Sequence, residues 1–135
     1  MQLGRVNLEV MTAGAAGVRG AVGLYDATCG TLLASSAQIG AEWESTGVKS
    51  HAFQSPVTVP AGAYYLGVAT NSASIAFRVY SGSSVITPIW IADPNASSVI
   101  GWGSATAGGA PYSLPASCGT LTESSYNLPV TVIKP

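Results

Sequence analysis

The chain has 135 residues and a net charge of −1, with 47% of its residues hydrophobic and 8% charged, where an average soluble domain carries about 25% charged residues. That length suits one domain with one core, and the composition is too apolar for disorder. The singly scattered Arg5, Arg19, Lys49, Arg78 and Lys134 make no patch for nucleic acid, and apolar runs such as 89–92 fall far short of the roughly 18 residues of a membrane helix.

Period-two alternation recurs along the chain and is punctuated by Gly, Pro and Ser, so strands are predicted throughout and a helix nowhere. In RVNLEV, 5–10, Val6, Leu8 and Val10 take one face and Arg5, Asn7 and Glu9 the other, the pattern of a half-buried strand. The glycines of TAGAAG, 12–17, tolerate a chain reversal. VRGAVGLY, 18–25, follows with Val18, Val22 and Leu24 on one side and Arg19 and Tyr25 on the other. The two strands are predicted to pair as an antiparallel hairpin.

Further strands are predicted at 32–39, 48–53, 57–59, 64–70, 75–80, 85–91 and 128–133, with AEWESTG, 41–47, as an exposed turn and 93–119 as mostly long Ser/Gly/Ala/Pro-rich surface loop. Many short strands with Gly/Pro turns in a chain of this length imply an all-β domain spanning 1–135, two packed antiparallel sheets in a jelly-roll-like β-sandwich. No basic, apolar leader marks the amino terminus, so synthesis in the cytoplasm is expected. A surface this poor in charge is expected to be covered by other chains, the alternative being an exterior built of Ser, Thr, Asn and Gly.

Candidate chemistry is thin. His51, the sole histidine, shares a face with Lys49 and Phe53, and nothing in the sequence marks a nucleophile, an orienting acid or further metal ligands beside it. No catalytic residue, metal site or cofactor is therefore expected. Glu42 and Glu44 flank Trp43 like a carboxylate pair, but glycoside hydrolysis needs one acid in an apolar cleft, and a solvated turn is the simpler reading. GAAGVRG joins two strands instead of leading into a helix, and TGVKS lacks the glycine spacing of a phosphate loop. Asn95-Ala96-Ser97 matches a glycosylation sequon, relevant only in a eukaryotic secretory route.

Cys29 and Cys118 are either two free thiols or a disulfide, which would close a loop of about 90 residues and contribute about 4–5 kcal/mol. The tryptophans and tyrosines are core residues, subunit anchors or a glycan-stacking face, with Trp43, Trp102 and Tyr65 as the candidate contacts. In VTVPAGAYYLGVAT, 57–70, Tyr64, Leu66 and Val68 form the consistent apolar set. Tyr64 is thus expected inside, and Tyr65 outside on a smooth face with Gly67 and Ala69.

VMTAGAAG, GLYDATCGTLLASS, STGVK, VPAGAYYLGVAT and YSLPAS, taken in order, resemble a β-sandwich domain of tailed-bacteriophage virion surface proteins, of the tail-fibre carboxy-terminal or decoration type. The resemblance covers roughly residues 6–133. It implies that Leu24 and Tyr25 end one strand, that Leu32 and Leu33 begin the next, and that Gly62, Tyr64 and Leu66 carry a turn and the buried side of another. The implied role is architectural: a non-enzymatic virion-surface protein, self-associating as a trimer, in contact with other virion proteins, and in some cases with host-surface glycans during attachment. A glycan-binding module using exposed aromatics is the alternative. Similar proteins carry a segment before the first strand, so an upstream segment or a neighbouring subunit is expected to supply that edge.

Overall fold

A computed structural model of the chain describes residues 1–62, 64–72, 74–81, 103–104, 113–117, 122–123, 127–129 and 131–134. In chain order the elements are β1 (Gln2–Thr12), β2 (Gly20–Tyr25), β3 (Leu32–Ser35), a 3-10 turn (Ala41–Glu44), β4 (Gly47–Thr58), β5 (Tyr65–Thr70), β6 (Ala76–Phe77), β7 (Val79–Ser81), β8 (Gly103–Ser104), β9 (Thr122–Glu123), β10 (Asn127–Pro129) and β11 (Thr131–Lys134). The chain is all-β among the described residues. β1 lies between β11 and β4 and also pairs with β6, while β2 lies between β3 and β5 in a second sheet; β7 joins β10 and β8 joins β9. Every pairing is antiparallel.

Alternation places Val6, Leu8 and Val10 of β1 inside, as predicted, and Leu3 is buried as well. Leu3 falls out of step with Val6, and the pairing with β4 explains why. Leu3 faces Val57 and Arg5 faces Ala52, so β4 carries extra residues opposite Gly4 and the ladder is reset there. Pro56, which has no N–H to give to a ladder, sits in this irregular stretch. The predicted strands at 48–53 and 57–59 are therefore one strand with a break in pairing. At that break Phe53 bridges Ser36, which ties β4 to the end of β3.

The predicted hairpin of β1 with β2 does not form. β2 pairs with β3 and β5 instead, because residues 13–19 are anchored away from β1: the Gly14 N–H donates to the carbonyl of Trp43 at 2.8 Å, and Gly20 exchanges N–H···O bonds with Ile39 at 3.0 and 2.7 Å. Val18 is buried within the same span. A tight hairpin needs a short loop whose ends stay in one sheet, whereas this connector carries the chain from one sheet to the other.

One cluster of buried side chains draws on both sheets. Leu3, Val6, Leu8 and Val10 of β1 and Phe53 of β4 meet Val22 and Leu24 of β2 and Ala34 of β3, with Trp43 and Tyr64 completing it. Each such aliphatic side chain contributes about 1.5–3 kcal/mol on removal from water. The strand predicted at 75–80 splits into β6 on β1 and β7 on β10, and that predicted at 128–133 splits into β10 and β11. The strand predicted at 85–91 lies outside the described residues. Within the predicted loop, Gly103–Ser104 forms a strand, and residues 113–117 lie against the second sheet, with the Leu32 N–H donating to the carbonyl of Ala116 at 2.8 Å.

Candidate functional site

The most chemically organised cluster is built by the 3-10 turn and β4. Trp43 is fully buried, and its indole Nε1–H donates to His51 Nε2 at 3.0 Å. On the other side of the imidazole, Nδ1 lies 3.2 Å from Glu42 Oε2, and the Glu42 side chain is 64% exposed. An indole nitrogen can only donate, so Nε2 is the unprotonated nitrogen and the Nδ1–H faces the carboxylate. Burial holds the His51 pKa below its ordinary value against the pull of Glu42.

The Glu–His half of this arrangement resembles the orienting acid and base of a hydrolytic triad. The place a nucleophile would take is filled by an indole N–H. Both imidazole nitrogens are thus occupied inside the fold, and neither is left to accept a proton from a substrate. Glu44 does not join Glu42 as a carboxylate pair; its Oε1 accepts from the Gly17 N–H at 2.9 Å.

Trp43 corrects an expectation. The turn is exposed at Ala41, Glu42 and Glu44, but the indole points inward, edge-on to Phe77 with 5.1 Å between ring centroids and hard against Gly20. A Cβ at Gly20 would run into the Trp43 ring and the carbonyl of Ala69. Trp43 is accordingly a core residue and offers no ring surface to a subunit or a glycan.

The tyrosine pair divides as alternation predicts. Tyr64 is 8% exposed within the core, and its hydroxyl donates to the carbonyl of Pro60 at 3.0 Å. Tyr65 turns to the opposite face, across from Tyr25, but that face is not bare. Tyr65 is half-buried among Tyr25, Cys29, Leu32 and Leu114. Next along the ladder Gly23 faces Gly67; a Cβ on Gly23 would come within 2.5 Å of Leu114 Cδ1, and one on Gly67 within 2.6 Å of Tyr25 Cε2 and 3.1 Å of Leu114 Cδ2. The two glycines form a saddle that Leu114 fills. The Tyr25 hydroxyl fastens the same segment by donating to the carbonyl of Pro115 at 2.7 Å, and burial pushes its pKa up to about 12.

Cys29 is, with Tyr25, a buried member of this cluster and is in a disulfide. Its φ of 59° is unusual for a residue with a side chain, and the loop around it is held by Asp26. The carbonyl of Asp26 accepts from the Cys29 N–H at 3.0 Å, and its Oδ1 accepts from the Thr28 hydroxyl at 2.8 Å, the Thr28 N–H at 3.0 Å and the Gly30 N–H at 2.9 Å. These bonds, the Thr28 hydroxyl first, hold the Asp26 carboxyl below its ordinary range. Cys118 and Trp102 lie outside the described residues. The docking of Leu114, Pro115 and Ala116 was not legible in advance; the signal available was the paired glycines on the outer face of β2 and β5, which left room for a side chain from elsewhere.

A third surface is the outward side of β4. Val48, Ser50 and Ala52 are exposed there, Val48 at 70%, opposite Glu9, Asn7 and Arg5 of β1. Glu9 is engaged by Arg78, whose Nε and Nη2 donate to its carboxylate at 2.5 and 3.1 Å. No family model, no curated protein and no solved structure matches the chain.

Proposed function

We propose that this chain is a non-enzymatic structural domain of a tailed-phage particle, a jelly-roll-like antiparallel β-sandwich made in the host cytoplasm and displayed on the virion surface as a tail-fibre or capsid-decoration domain. In this reading it self-associates as a trimer, contacts other virion proteins and takes part in attachment to the host. The observation that carries the reading is the uncharged outward side of β4, where Val48 is 70% exposed in a chain with 8% charged residues. An exposed valine among small uncharged side chains, bordered on the same face by Arg5 and the Glu9–Arg78 ion pair, is suited to contact with another chain. The core shared by both sheets supports the sandwich, the ordered turn and strand motifs support the phage resemblance, and the occupied nitrogens of His51 support a role without catalysis.

Light scattering with size-exclusion chromatography tests the assembly. A trimeric mass at micromolar concentration is expected, and Val48→Asp, on an outward position, is expected to shift the population toward monomer with an unchanged circular dichroism spectrum. A strictly monomeric wild-type chain overturns the reading.

A further inference from the structure

We propose that Trp43, His51 and Glu42 form a proton-sensitive latch, which holds the 3-10 turn and the 13–17 loop against β4 near neutral pH and releases them on mild acidification. The inference rests on the direction of the hydrogen bonds and is independent of any role on a particle. The Trp43 Nε1–H can only donate, so His51 accepts it only while Nε2 is bare. A proton added at Nε2 sets two N–H groups against each other across 3.0 Å and places a charge on a side chain that is 2% exposed.

The charged groups around the imidazole give that charge one way out. Glu42, from the turn, faces Nδ1 at the exposed rim. Lys49, on the same strand as His51, opposes the charge, and its Nζ donates to Ser45 Oγ at 2.8 Å. Glu44 is spent on the Gly17 N–H. From β1 the cross-strand neighbour of His51 is Val6, and from β6 the ring against Trp43 is Phe77; neither carries charge. An imidazolium therefore follows Glu42 outward and leaves the indole N–H buried without its acceptor, which loosens the turn. The 13–17 loop loosens with it, because the Gly14 N–H is bonded to the Trp43 carbonyl and the Gly17 N–H to Glu44.

Nuclear magnetic resonance of the full chain between pH 7.5 and 4.5 follows the His51 ring, the Trp43 indole N–H and the amide exchange of Gly14 and Gly17 together. All are expected to change with one midpoint; between about pH 6.5 and that midpoint, after correction for intrinsic exchange rates, opening at the two glycines should rise roughly tenfold per pH unit while His51 remains neutral in the closed form. In His51→Gln, whose side-chain oxygen accepts from the indole at every pH, the acid response should disappear. Titration of His51 with the indole and glycine signals unmoved overturns the latch, as does an unchanged acid response in His51→Gln. Should that variant not fold, the wild-type midpoints decide alone: separate midpoints for His51 and Trp43 overturn the proposal.

Discussion

The indole nitrogen of Trp43 and Nε2 of His51 meet at 3.0 Å inside the fold, with the two rings edge to face at 82°. One contact thus satisfies two buried polar atoms and joins the 3-10 turn to β4. Trp43→Phe removes the donor and strands the Nε2 acceptor. That loss is expected to cost about 1–3 kcal/mol, with the missing ring volume adding to it, and denaturant unfolding at pH 7.5 measures it.

The same contact sets a direction for stability with pH. Burial lowers the folded-state pKa of His51 below the 6.5 of an unburied imidazole, so below that value the unfolded chain binds the proton more readily than the folded one. The contribution of His51 to stability is fully present above about pH 6.5 and is lost as the pH falls through the lowered folded value. Unfolding midpoints measured from pH 8 to 5 should be level at the upper end and decline at the lower, and His51→Gln should reduce the decline.

Gly20→Ala places a methyl group against the Trp43 ring and the carbonyl of Ala69. Neither neighbour moves cheaply, since the ring is fully buried and the carbonyl is backbone. A loss of about 1–3 kcal/mol is expected, read as a lower unfolding midpoint with an unchanged denaturant slope.

The segment at 113–117 is held by the Tyr25 hydroxyl and by Leu114 in the glycine saddle. Tyr25→Phe should cost about 0.5–1.5 kcal/mol, and both Tyr25→Phe and Leu114→Ala should speed proteolytic cleavage near residue 115. Because the Tyr25 pKa is raised from 10.0 to about 12, its contribution is fully present below pH 10 and is lost as the pH rises through about 12. A spectroscopic tyrosine titration of the folded chain should show a late phase that Tyr25→Phe removes.

Cys29 is in a disulfide, and the chain's other cysteine is Cys118. Peptide mapping without reduction should recover the two cysteines in one linked pair. Reduction should lower stability by about 4–5 kcal/mol for a loop of about 90 residues on the chain-entropy estimate. Recovery of two unlinked cysteine peptides would reject the pairing.

Local alternation was enough to assign Val6, Leu8 and Val10 to the core, to place Tyr64 and Tyr65 on opposite faces, and to identify an all-β chain among the described residues, because a strand's two faces follow directly from neighbouring residues. It did not show that the Tyr65 face is covered, with Ala69 buried and Tyr65 packed against Leu114. Partner choice was not local. β2 follows β1 across a glycine-rich connector, yet Trp43 and Ile39 hold that connector through bonds across the sequence, and β2 pairs elsewhere. Trp43 shows the same limit: flanked by two glutamates, it reads as part of an exposed turn, and only the absence of a Cβ at Gly20 and the presence of His51 across the core make room and a hydrogen bond for a buried indole. The latch and the Leu114 saddle are likewise tertiary, since each depends on atoms brought together from distant strands.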